Sequence, residues 1–163
     1  MSVRPIVKFG DPLLRTGSKK VTSFGSQFNR LIKDMLETMF YGEGVGLSAI
    51  QVGVAHRIIL ADADEKALLY VNPVILYESS DQSVMVEGCM SIPGLELPVW
   101  RPSSIIFKAL SWDNRPVRVP ATGRLARIVQ HEIDHLNGVL FVDRVWEKEL
   151  SDEEILDILE KNK

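Results

Sequence analysis

The chain has 163 residues, 45% of them hydrophobic and 25% charged, with a formal net charge of −3 and one cysteine, Cys89. That length and composition suit one ordinary domain with a real core, so residues 1–163 read as a single unit. A lone cysteine excludes an intrachain disulfide and points to a reducing compartment; the absence of a basic block argues against an intrinsic nucleic-acid surface, and no apolar run reaches membrane-spanning length.

The N-terminal residues lack the charged-then-apolar layout of a secretory signal and the Arg/Ser-rich character of a transit peptide, so a cytoplasmic location is expected. Residues 8–21, broken by Gly10, Pro12 and Gly17, read as irregular surface chain. A first helix is predicted over 26–41. Phe28, Leu31, Ile32, Met35, Leu36, Met39 and Phe40 recur there at three- and four-residue steps, with Ser26 as its N-cap and glycines at its end. The Gly-rich stretch 41–51 lacks the Lys-Ser/Thr ending of a phosphate loop; its glycines suit unusual dihedrals or close backbone approach. Strands are predicted at 57–61, 67–71 and 74–77, the last two separated at Asn72-Pro73, since proline cannot donate to a ladder. Residues 79–83 read as polar loop, and 104–110 with 117–119 as a hairpin around Asp113-Asn114. A helix is predicted over 122–136, capped by Thr122, stopped by Asn137-Gly138, and apolar over much of its surface. The last helix starts at Ser151, with Glu154 completing a capping box.

The chemistry concentrates on the helix at 122–136. It carries Gln130-His131-Glu132-Ile133-Asp134-His135, which places two of the chain's three histidines four residues apart on one helical face. Both imidazoles can meet one metal ion there, with Glu132 beside it as a candidate general base. A chance pair of surface histidines is the alternative. A catalytic metal site usually takes three protein ligands, and no His or Cys follows His135. Cys89, in Glu87-Gly88-Cys89-Met90-Ser91, is the candidate third ligand; a buried structural thiol is the ordinary alternative. His56 matches no motif and reads as a surface or packing residue.

Three segments occur in order: Gly44-Val45-Gly46-Leu47-Ser48-Ala49-Ile50-Gln51, Glu87-Gly88-Cys89-Met90-Ser91 and the histidine motif. Together they resemble the signature motifs of the peptide deformylase family, and Ile6-Val7-Lys8-Phe9-Gly10-Asp11-Pro12 resembles that family's opening. The resemblance covers nearly the whole chain. It implies an α+β fold, with antiparallel β-sheets packed around a central metal-binding helix and a C-terminal helix. It implies hydrolytic removal of the N-terminal formyl group from formylmethionine of nascent polypeptides. Cys89, His131 and His135 would ligate one divalent ion, Fe²⁺ natively, with Zn²⁺, Ni²⁺ or Co²⁺ able to substitute. A metal-activated water would attack the formyl carbon with Glu132 as general base and then acid. The Gln51 amide and the Met90 backbone N–H would donate to the oxyanion. A soft thiolate beside Fe²⁺ is expected to make the protein oxygen-sensitive.

By the same resemblance, the backbone of Gly44, Val45, Gly46 and Leu47 would pair with an extended substrate, and Val45, Met85 and Ile128 would line a pocket for its methionine side chain. Glu87, Asp134 and Arg101 are candidates for orienting the ligands. Departures from the family pattern are mild at Ser48 and Met90, which replace the more usual Ala and Leu. Arg124 and Arg127 stand where many members carry apolar residues near the methionine pocket. The acidic C-terminal helix (Asp152, Glu153, Glu154, Asp157, Glu160) would be repelled by RNA phosphate, so any ribosome contact would be transient and not made through that helix. Two other functions remain open at this point: a zincin-type metallopeptidase with a further ligand downstream and Cys89 idle, and a non-catalytic protein that only binds peptide ends.

Overall fold

The computed structural model describes residues 2–163. Its layers stack about the apolar run Ile58-Ile59-Leu60-Ala61, every residue of which is buried. That run lies in β2 (Ile58–Ala63), which pairs on one side with the short β1 (Gly46–Ser48) and on the other with β3 (Lys66–Glu78). β6 (Ser104–Leu110) and β7 (Pro116–Thr122) complete a five-stranded antiparallel sheet in the order β1-β2-β3-β6-β7. Side chains alternate across a strand, so β2 can be apolar throughout only because both faces are covered. Ile58 and Leu60 meet Leu31, Ile32, Met35 and Met39 of α1 (Ser26–Tyr41). Ile59 and Ala61 join the cluster of Ile128, Val129, Ile133 and Leu136 of α2 (Gly123–Leu136), with Phe107 of β6.

A separate hairpin, β4 (Gln82–Cys89) with β5 (Ile92–Pro102), flanks the other side of α2. Its own core of Ile92, Leu95 and Val99 is closed by Leu14, Phe141 and Ile155, the last from α3 (Asp152–Lys161). The α+β architecture is the one expected, with the histidine helix at its centre: every residue from Ala126 to Leu136 is buried. No helix among the described residues is long and apolar enough to cross a membrane.

Several local expectations are corrected. The N-cap of α1 is Gly25, and Ser26 is the first helical residue. Thr122 sits at the N-cap of α2, but its side chain makes no capping bond. The Ser151–Glu154 capping box of α3 is present as expected, with the Glu154 N–H donating to Ser151 Oγ at 3.2 Å and the Ser151 N–H to Glu154 Oε2 at 2.8 Å. β3 runs unbroken through Asn72-Pro73. The ladder to β6 shifts register between Val71 and Val74, and Pro73, which has no N–H to give, falls in that gap. Asn72 takes φ 52° there, and its side-chain amide pairs both ways with the Val21 backbone, at 2.8 and 2.9 Å. The whole β4–β5 hairpin was not expected, and it takes in Gln82 and Ser83 from the predicted loop.

Candidate metal centre

α2 is buried from Ala126 to Leu136, both histidines included. His131 and His135 stand one turn apart, and the end of β4 brings Cys89 to them. Cys89 Sγ lies 3.3 Å from His135 Nε2, and one ligating atom from each of the three residues falls within 4.8 Å of the others. Three donors around a tetrahedral ion, with bonds of about 2.0–2.3 Å, lie roughly 3.5 Å apart, so the set fits a divalent ion. His131 presents Nε2, because its Nδ1–H donates to Glu87 Oε1 at 2.7 Å. Its ring stacks on Phe141, with centroids 5.9 Å apart. Burial opposes charge on Cys89, but the charges and hydrogen bonds of His135 and His131 outweigh it and draw the thiol well below its ordinary range, toward thiolate. Burial also opposes charge on His131, where hydrogen bonds to Cys89 and Glu87 win and raise it.

Glu87 anchors a buried ionic network. It receives Arg101 Nε at 2.7 Å and Nη2 at 2.9 Å, and Arg127 Nη1 at 3.0 Å. Despite burial, the hydrogen bonds from His131 and Arg101 hold its carboxyl far below the usual carboxylate range, so it stays ionised. Arg101 reaches on to Asp134 Oδ2 at 2.7 Å, and Arg144 clamps the same carboxylate at 2.7 and 2.9 Å. Glu87, Asp134 and Arg101 are therefore brought together. Arg127 and Arg144 complete the set and were not anticipated. Arg127 lines the cleft beside Ile128, but its guanidinium turns inward and also donates to Val99 O, Ser83 O and Ser83 Oγ, each at 2.9 Å. Arg124 stays exposed on the cleft wall.

A cleft of about 540 Å³ opens over the centre. Gln51, Cys89, Met90, His131 and Glu132 line it, with Gly44, Val45, Gly46, Met85 and Ile128. Leu47 does not: its side chain is fully buried in the core under α1. Glu132 Oε2 is buried without a hydrogen-bond partner, as is His135 Nδ1. Burial, opposed by the charges of His131 and His135, pushes the Glu132 carboxyl up to about 7. Gly46 is required by close approach: a Cβ there would stand 2.5 Å from Glu132 Oε1 and 2.8 Å from Ile128 Cγ2. Gly42 and Gly44 make room instead for the Met90 side chain.

Gln51 lies in a 3₁₀ turn (Ala49–Val52) that follows β1. Its Nε2 is 3.2 Å from Ser91 Oγ and 3.4 Å from Cys89 Sγ. The N-terminal segment stitches these two loops together: the Val7 N–H donates to Gln51 O at 2.8 Å, the Phe9 N–H to Ser91 O at 2.9 Å, and Lys8 Nζ to Met90 O at 2.8 Å. His56 is exposed and pairs with Lys19 in an isolated bridge, apart from the ligand group.

The polypeptide deformylase family model matches residues 3–151. A peptide deformylase of Dictyoglomus thermophilum is 46% identical over 152 residues, covering 93% of this chain and 99% of that protein. The crystal structure of peptide deformylase from Thermotoga maritima superposes with a TM-score of 0.88 at 38% identity, over 90% of this chain and 99% of that one. A peptide deformylase from Synechococcus elongatus in complex with actinonin gives a TM-score of 0.87 at 38% identity, over 96% of this chain and 86% of that one.

Proposed function

The chain belongs to the polypeptide deformylase family, and from that premise we propose that it hydrolyses the N-terminal formyl group from formylmethionine at the head of nascent polypeptides, as a single catalytic domain of the cytoplasm. The observation that carries the reading is the convergence of Cys89, His131 and His135 beneath a cleft that Glu132 also lines. Cys89 Sγ and the Nε2 atoms of the two histidines would hold the ion. The mixed thiolate–imidazole set suits borderline metals, Fe²⁺ first, with Zn²⁺, Ni²⁺ or Co²⁺ as substitutes. When bound, a divalent ion supplies Lewis-acid polarisation of a water and of the formyl carbonyl.

The chain's own residues do the rest. Glu132 takes a proton from the attacking water as the new C–O bond forms at the formyl carbon. It returns that proton to the amine as the C–N bond breaks, leaving formate and a free N-terminus. Burial raises this carboxyl above its ordinary value, which favours its holding the proton between the two steps. Gln51 Nε2 and the Met90 N–H donate where negative charge develops on the formyl oxygen, and loss of one such donor typically lowers kcat by about 10²–10³. Glu87 fixes the ring of His131, Arg101 holds Glu87, and Asp134 holds Arg101 in turn. β1 pairs only with β2, so its outer edge is free to receive an extended peptide. Val45, Met85 and Ile128 line the cleft as the methionine pocket requires.

A zincin would leave Cys89 away from the histidines; its sulfur lies 3.3 Å from His135 instead. A passive binder has no use for a buried Glu132 carboxylate beside the ligands. The test is turnover of formyl-Met-Ala-Ser by protein loaded anaerobically with Fe²⁺ or Ni²⁺, beside Glu132→Gln. Formate from the parent alone supports the assignment. Peptide-bond cleavage would shift it to a metallopeptidase, and absence of any release from folded, loaded protein to a binder.

A further inference from the structure

Gln51 is the third residue of its 3₁₀ turn, and Ser48 is the N-cap. Ser48-Ala49-Ile50-Gln51 is thus an S-x-x-Q capping box, in which the glutamine side chain reaches back to the cap. Here both of the cap's donors converge on one atom. Gln51 Oε1 accepts from the Ser48 N–H at 2.9 Å and from the Ser48 hydroxyl at 3.0 Å. A backbone N–H can only donate, so it fixes which end of the amide is oxygen. The other end, Nε2, is thereby turned to Ser91 Oγ and Cys89 Sγ, inside the cleft. Ser48, Gln51 and Ser91 are 0%, 1% and 0% exposed, so the arrangement is held by protein groups packed around it.

We propose that Ser48 is a positioning residue for this reaction: its hydroxyl, as the second donor on Gln51 Oε1, locks and polarises the amide so that Nε2 is presented to the oxyanion. The proposal deepens the reading of Gln51 given above and rests on it. Two donors on one carbonyl oxygen draw charge from the amide and strengthen its N–H as a donor, because linked hydrogen bonds polarise one another. In a low-dielectric site, an amide fixed at its oxygen end needs only to turn one N–H from Cys89 Sγ, its longer partner at 3.4 Å, to the developing charge, with little reorganisation. Alanine at position 48 keeps the backbone bond and loses the hydroxyl's. The effect is that of one neutral hydrogen bond, a fall in kcat of about 3- to 10-fold. It acts on charge present only in the transition state, so KM stays where it was.

Four metal-loaded proteins decide the matter: the parent, Ser48→Ala, Gln51→Ala and the double variant. The expected result is a 3- to 10-fold lower kcat for Ser48→Ala at unchanged KM and unchanged metal per chain. In the Gln51→Ala background the same substitution is expected to have no further effect, since residues acting as a unit are non-additive. Equal losses in both backgrounds would show that Ser48 acts on the fold rather than through Gln51, and would overturn the proposal. Unchanged turnover in Gln51→Ala is a different failure, of Gln51 as an oxyanion donor. The positioning claim is then read directly, from the Gln51 side-chain amide protons by NMR. They are expected as two separate, slowly exchanging resonances in the parent, collapsed or fast-exchanging in Ser48→Ala. Identical resonances in both proteins refute it.

Discussion

Replacing Glu132 by glutamine is expected to stabilise the metal-free protein while abolishing its turnover. The carboxyl is 3% exposed, and burial raises it from an ordinary value of 4.5 to about 7. A carboxyl whose folded-state value is raised binds its proton more tightly in the folded chain than in the unfolded one. Stability is therefore lost as pH rises between 4.5 and 7, and the full penalty stands above 7. At about 1.36 kcal/mol per unit, the penalty is under about 1 kcal/mol at pH 5 and about 3 kcal/mol at pH 8. Glutamine has the same shape and no proton to lose, so it escapes the penalty. For a chain of this size, 3 kcal/mol corresponds to a Tm difference of roughly 6–12 °C. The assay is thermal melting of both proteins in EDTA at pH 5 and pH 8. A large advantage for Glu132→Gln at pH 8 that shrinks at pH 5 is the expected pattern. An advantage equal at both pH values, or a less stable variant at pH 8, would refute the claim that this carboxylate is held charged at the expense of the fold.

Gly46→Ala places a methyl 2.5 Å from Glu132 Oε1. A displacement of that order is expected to lower kcat/KM about 10²-fold with bound metal retained, as measured by steady-state kinetics beside metal analysis. Arg101→Met uncouples a guanidinium that is 2% exposed from both Glu87 and Asp134, and should lose about 3 kcal/mol in urea denaturation. Arg144→Ala, at a side chain 45% exposed on the same Asp134, should lose less than about 1 kcal/mol. Cys89→Ala is expected to leave well under one metal per chain after dialysis while Glu132→Gln keeps its full complement; retention of metal by Cys89→Ala would instead favour a ligand set without the thiolate.

What the sequence disclosed follows the range of the forces involved. α1 and α2 were legible because helical periodicity and terminal glycines are local signals. The ligand pair was legible because His131 and His135 lie one turn apart. The β4–β5 hairpin was hidden because its inward residues mix charged with apolar types: Glu87 and Arg101 are buried along with Ile92, Leu95 and Val99, while Val86 is largely exposed. An alternating strand is read by its apolar face, and here two charged residues interrupt that face. The partners of Arg127 were hidden for a related reason: nothing local in a helix announces a carboxylate 40 residues away, as Glu87 is. The strand break assigned at Asn72-Pro73 overlooked a bulge, which removes the need for the proline's missing N–H. The Ser48–Gln51 capping box was within reach, since S-x-x-Q is a local motif.

The stitching of the centre by residues 7–9 has a consequence for how the protein opens. Lys8 reaches Met90 across 82 positions, and none of residues 2–10 is buried. Segments with few buried contacts open at the lowest free energy, well below that of global unfolding. A molecule open there keeps the apolar cluster between α2 and the sheet, yet it loses the tie between the Gln51 and Ser91 loops. Hydrogen exchange at the Val7 and Phe9 amides would therefore count the fraction of molecules that are folded but idle. Lys8→Ala, which removes the tie to Met90 O, would raise that fraction.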